Sequence, residues 1–190
     1  YQDYIWDLGG TLLDNYETST AAFVHTLQDF GLTGSHDEVY KALKVSTDYA
    51  VRQFAPGNKE FLKAYKANEA KELEHPILFE GASELLAQII QQGGRNFLIS
   101  HRDDQVLEIL QKTKISAYFT EVVTATNGFK RKPDPESMLY LKDKYQIESG
   151  LVIGDRPIDI EAGQAAGFSC YLFDNMKNLE EFVDIELEKE

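Results

Sequence analysis

Asp155 and Asp159 stand four residues apart in the segment Leu151-Val-Ile-Gly-Asp-Arg-Pro-Ile-Asp-Ile-Glu-Ala-Gly-Gln-Ala-Ala166, where an apolar run ends on a glycine and an aspartate. Two carboxylates held that close repel each other unless a proton or a cation shares the site, and hard divalent cations take oxygen ligands of this kind. A matching segment lies near the other end of the chain, Tyr4-Ile-Trp-Asp-Leu-Gly-Gly-Thr-Leu-Leu-Asp14, in which a strand-like run again stops at an aspartate, Asp7, followed by glycines and the hydroxyl of Thr11. Ligands of open parallel sheets bind beyond the carboxyl ends of the strands. Asp7, Asp155 and Asp159 are therefore expected to converge on one site.

The elements that must position them follow from periodicity. After Asp14 the pattern becomes helical, with Asp14 and Glu17 spaced as a capping box and Phe23, Leu27 and Phe30 forming a stripe that ends at Gly31. Further helices are predicted over 37–43, 49–54 and 58–74, and Pro76 closes the stretch. From Ile77 the chain alternates: helix 82–92, strand 96–100, helix 103–113, strand 121–124, helix 135–145, strand 151–154, helix 159–166, strand 169–173 and a terminal helix near Leu179. Such alternation predicts an α/β fold, a doubly wound parallel sheet with helices on both faces. The core domain is then 1–14 with 77–190, and 15–76 is an inserted helical domain. The helix after Asp155 is trimmed to small residues, which lets it lie close to the sheet. The acidic tail Glu186–Glu190 is expected to fray.

Bulk composition bounds the rest. With 190 residues, 43% of them apolar, the chain can bury a core, and no apolar run approaches the length of a membrane span. A net charge of −13 disfavours nucleic acid or an anionic membrane as partner, so an anionic ligand must be drawn in by local positive charge. No secretory leader is evident, and the single cysteine, Cys170, reads as a small buried apolar residue suited to the cytoplasm. A monomer or a homodimer is expected.

The chain resembles the haloacid dehalogenase (HAD) superfamily of hydrolases, in the subgroup of phosphoglycolate phosphatase and β-phosphoglucomutase. Asp7-Leu-Gly-Gly-Thr11 is similar to the first of that family's four motifs, Phe97-Leu-Ile-Ser100 to the second, Lys132-Pro133 to the third, and Gly154-Asp155 through Asp159 to Ala162-Gly163 to the fourth. All four occur in order over Asp7 to Gly167. The resemblance implies a Rossmann-like HAD core with a helical cap that lies over the active site and carries selectivity. It also implies a small phosphorylated metabolite as substrate and a covalent aspartyl-phosphate on Asp7. Mg²⁺ would be held by Asp7, the Gly9 carbonyl and Asp155, with Asp159 as a further ligand or one acting from behind them. Lys132 would brace Asp7 and a phosphate oxygen. Ser100, His101, Thr11 and Lys44 would serve the substrate, Thr11 by ordering the first loop. Lys130 and Arg131 read as solvated. The need for countercharge is plain: two unit charges ~4 Å apart interact by about 4 kcal/mol at an effective dielectric near 20.

One departure matters. Phosphatases of the family carry an aspartate at position 9, the acid for the leaving alcohol and the base for water, where this chain has Gly9. Loss of a positioned acid costs roughly 10²–10⁴ in rate. Three readings stay open: a phosphatase for good leaving groups or with its acid supplied elsewhere, by His101 or the cap; a phosphonoacetaldehyde-hydrolase-like enzyme using Lys44 as a Schiff base; or a weakly active or non-catalytic phosphate-binding regulator. A dehalogenase proper is disfavoured, because those enzymes carry tyrosine at position 9.

Overall fold

The computed structural model describes residues 1–188. The chain divides into two compact units: Tyr1–Leu13 together with the chain from Leu78 onward, and Asp14–Ile77.

The first unit is built on five parallel strands: β1 (Asp3–Trp6), β2 (Arg95–Ile99), β3 (Phe119–Val123), β4 (Gly150–Gly154) and β5 (Ser169–Leu172), in the spatial order β3-β2-β1-β4-β5. β1 is central, and chain order reverses across it, so the crevice of an open α/β sheet falls at its carboxyl end. Register makes the alignment concrete. Trp6 pairs with Leu98 of β2 and Ile153 of β4, which brings Asp7, Ser100 and Asp155 to one edge, each the first residue past its strand.

Alternate side chains of β1 serve opposite faces. Tyr4 and Trp6 join one apolar cluster with Leu98, Ile153 and side chains of α5 (Ala82–Gln91), α6 (Gln105–Lys112) and α9 (Met176–Glu188). Ile5 joins the other with Phe97, Val152 and side chains of α7 (Glu136–Tyr145) and α8 (Pro157–Ala165). Helices therefore cover both faces, as the alternating pattern predicts. The small residues of α8 are required at Gly163, where an added Cβ would meet Cys170 Sγ and the Val152 side chain. Cys170 itself is only partly buried. α8 begins two residues earlier than expected, because Pro157 opens its first turn and Asp159 is its third residue, with a carboxylate that accepts the Arg156 N–H. α9 is helical through Glu188, so the expected fraying does not hold for Glu186–Glu188; residues 189 and 190 lie outside the described residues.

The second unit packs α1 (Asn15–Asp29), α2 (His36–Val45), α3 (Thr47–Phe54) and α4 (Phe61–Glu72) around its own core, with Phe23 set edge-on to Phe61, Tyr65 and Phe54. Asp14 caps α1 by accepting the Glu17 N–H at 3.1 Å, but the Glu17 carboxylate turns to His36 Nε2 at 2.8 Å, so the expected capping box is half-formed. Among the described residues, no helix is long and apolar enough to cross a membrane.

One buried polar link secures β1 just before the site. Trp6 Nε1 donates to Asn96 Oδ1 at 2.9 Å, and Asn96 Nδ2 donates to the Leu86 and Tyr118 carbonyls. Asn96→Leu would leave the Trp6 indole N–H unpaired inside the core, and such a group costs about 1–3 kcal/mol. We expect that variant to unfold at markedly lower denaturant concentration in an equilibrium urea titration.

Candidate active site

Beyond Trp6 the chain makes a tight loop. The Leu8 carbonyl accepts from the N–H groups of Thr11, Leu12 and Leu13, and Gly10 N–H donates to the Leu13 carbonyl at 2.9 Å. Gly10 takes the left-handed conformation (φ 83). A Cβ there would also collide with the Asp155 carboxylate, as one on Gly154 would with Asp159. The two motif glycines thus let carboxylates lie directly against main chain.

Asp7, Asp155 and Asp159 each offer a carboxylate oxygen within 4.8 Å of the others. Lys132, whose side chain is 1% exposed, reaches in from the loop before α7. Its Nζ donates to Asp159 Oδ1 at 2.7 Å, Asp7 Oδ1 at 3.0 Å and the Ile99 carbonyl at 3.4 Å, which uses all three protons of the ammonium. Asp159 is filled from both sides, by Lys132 on one oxygen and the Arg156 N–H on the other. It braces the lysine and caps α8.

Three acids against one ammonium leave negative charge in a space largely shut off from water. Burial first, and then the adjacent Asp7, push the Asp155 carboxyl up to about 7. Burial also raises Asp159, opposed by Lys132. The folded Asp155 therefore holds a proton that the unfolded chain releases, and stability is lost as pH rises from 3.8 through about 7. The donor set fits a divalent cation. The Gly9 carbonyl, two residues on from Asp7, accepts no hydrogen bond among the described residues.

The remaining expected residues divide. Ser100 is buried at the end of β2, with its Oγ accepting the Arg102 N–H at 3.2 Å and its own proton without an acceptor among the described residues. Thr11 is fully buried, and its hydroxyl donates to Asp155 Oδ1 at 3.3 Å, so it orders an acid of the site. Lys44 lies in the last turn of α2, exposed, with its Nζ 4.9 Å from the Tyr40 ring centre and 6.0 Å from that of Tyr16. His101 joins two loops: its Nε2 lies 3.2 Å from the Lys132 N–H and its Nδ1 lies 3.3 Å from Arg131 Nε. Arg131, read as solvated from sequence, is exposed but lies against this ring. The bracing roles of Asp159, Thr11 and the Ile99 carbonyl left no mark in the sequence beyond the motifs that contain them.

A central strand ending in a carboxylate, braced by lysine and flanked by two further acids, marks a hydrolase of the HAD class. The chain belongs to the haloacid dehalogenase-like hydrolase family, whose model matches residues 4–173. It is similar to a hydrolase from Streptococcus pneumoniae TIGR4 of known crystal structure, with 71% identity over 97% of this chain and 98% of that one and a TM-score of 0.93. It is 28% identical to the phosphoglycolate phosphatase of Aliivibrio fischeri over 88% of this chain and 81% of that protein. It shares the fold of a putative β-phosphoglucomutase from Thermotoga maritima, with a TM-score of 0.68, 19% identity, and coverage of 95% and 91% of the two chains.

Burial, then the charges of Lys132 and Arg131, lower His101 to about 4. As pH falls from 6.5 to about 4, the unfolded chain takes up a proton that the folded ring refuses, and stability drops across that window. An NMR titration of the histidine ring signals is expected to show His101 neutral down to about pH 4; a midpoint at the ordinary value would contradict this placement.

Proposed function

We propose that this hydrolase is a Mg²⁺-dependent phosphatase of the phosphoglycolate-phosphatase type, acting on a small phosphorylated metabolite in the cytoplasm through an aspartyl-phosphate on Asp7. The observation that carries this reading is the Lys132 ammonium clamped between Asp7 and Asp159, with Asp155 alongside. Such an arrangement holds one carboxylate at a strand end, ready to meet an anion. Asp7, Asp155 and the Gly9 carbonyl would hold Mg²⁺, with Asp159 behind them. When bound, Mg²⁺ supplies the charge that offsets repulsion between nucleophile and phosphoryl group and polarises a phosphoryl oxygen.

The chain's own residues account for the steps. Ser100 donates its free hydroxyl proton to a phosphoryl oxygen, while Lys132 keeps Asp7 aimed along the axis of β1. An Asp7 oxygen attacks phosphorus as the bond from phosphorus to the leaving oxygen breaks, and that oxygen departs with the electron pair. Water then cleaves the acyl phosphate, which frees orthophosphate and restores Asp7. With Gly9 in place of an acid, the leaving oxygen has no carboxyl donor at that position, so substrates with acidic leaving groups are favoured. Asp14–Ile77 would act as the cap and set selectivity. Within it, the tyrosine faces beside Lys44 attract a cation, which suits an ammonium that binds an anionic substrate end more than a lysine that condenses with a carbonyl.

Two experiments test this. The loop's left-handed position is Gly10 and not Gly9, so the backbone accepts Gly9→Asp. We expect that variant to gain roughly tenfold or more in kcat/KM on alkyl phosphates, with a smaller gain on p-nitrophenyl phosphate; no gain with metal binding retained would remove our account of position 9. In thermal melts, Mg²⁺ should raise Tm more at about pH 8 than at about pH 5, because it offsets repulsion that the Asp155 proton relieves in acid. Asp155→Asn should abolish the metal effect, and an equal effect at both pH values would count against the carboxylate site.

A further inference from the structure

The arginines of this acidic chain are unevenly placed. Three of the five, Arg102, Arg131 and Arg156, stand on loops at the carboxyl end of the sheet, and none of these is ion-paired among the described residues. A cleft of about 220 Å³ opens there, one strand over from Asp7, at the ends of β2 and β3; Ser100, His101, Thr124, Lys130, Arg131 and Ser137 contribute to its walls.

Two observations show that the cleft lacks an acceptor. The first is His101. A neutral imidazole has one accepting nitrogen and one N–H, yet donors face both of its nitrogens. The Lys132 N–H is fixed by the main chain, so Nε2 accepts it and the ring proton sits on Nδ1. That proton then points at the Arg131 guanidinium 3.3 Å away, donor against donor. The second is Ser137, 4% exposed, whose hydroxyl has no hydrogen-bond partner among the described residues. It lies in the first turn of α7, a ten-residue helix, where main-chain N–H groups lack intrahelical acceptors and the helix dipole favours an anion. The nearby acids are already engaged: Asp104 accepts from Thr124 Oγ1 at 3.2 Å, and Glu136 accepts the Lys130 N–H at 3.2 Å.

We propose that this cleft is an oxyanion subsite, in which the His101 Nδ1–H, the Arg131 guanidinium and the Ser137 hydroxyl receive a second acidic group of the substrate, beyond the phosphoryl group that meets Asp7. The role in turnover rests on the phosphatase reading; the binding does not. Neighbouring strands are ~4.8 Å apart, so the two acidic groups of the ligand are separated by only a few atoms. Charge-assisted donors of this kind give an anion shorter and stronger hydrogen bonds than neutral ones.

Isothermal titration with two unreactive probes tests the subsite, with Mg²⁺ fixed in excess of both. Phosphonoacetate carries two acids and methylphosphonate one. The wild-type protein should bind phosphonoacetate about tenfold or more tighter, the yield of one charge-assisted contact. Arg131→Ala and Ser137→Ala should each erode that preference, together bringing it to within about twofold, and leave methylphosphonate affinity unchanged. Equal wild-type affinities, or a preference that survives both substitutions, would overturn the subsite. Hydrolysis of p-nitrophenyl phosphate is followed separately. Turnover with no phosphonoacetate preference sinks the subsite alone, whereas a preference that depends on Arg131 without turnover retains the subsite and sinks the phosphatase reading.

Discussion

Repulsion among three carboxylates in a half-buried space is the constraint around which this molecule is organised. Water would dissipate that repulsion cheaply, but water is mostly excluded at the end of β1. The chain answers with a single fully engaged ammonium. Lys132 spends its three protons on Asp159, Asp7 and a main-chain carbonyl, which fixes both the charge and the direction of Asp7. Removing one partner of such a buried pair costs far more than the pair contributes net, so the ammonium and its acids stand or fall together. The charge that remains is the reason a divalent cation is proposed for the site.

The fold supplies that geometry through register more than through any one contact. Because β1 is flanked by β2 and β4 at matched depth, the residues just past three strands come level at one edge. The glycines at positions 10 and 154 then remove the side chains that would hold the acids off. Asp159 shows how closely fold and chemistry are joined here. The carboxylate that steadies the lysine also caps the helix that carries it, so a substitution at this position would loosen both Lys132 and α8.

Much of this is legible in the sequence. Strand ends announce themselves where apolar runs stop at a polar residue, and that is where Asp7, Ser100 and Asp155 lie; the alternation of periods gave the layering. What escaped depends on approach between loops far apart in the chain. Nothing near Thr11 says that its hydroxyl turns inward to Asp155, and nothing near His101 says that its ring meets the Lys132 main chain some thirty residues away. The sequence places the start of α8 at 159, whereas Pro157 opens the helix and Asp159 is its third residue. Glu17 fits a local capping pattern, but a histidine from the next helix offered its carboxylate a better partner.

The only tryptophan of the chain is the residue immediately before Asp7, fully buried and tied by its indole N–H to Asn96. Its fluorescence is consequently a built-in optical reporter of β1, silent about the four-helix unit. Set beside the far-ultraviolet dichroism, to which both units contribute, it gives a direct reading of whether the two melt as one cooperative body or in sequence.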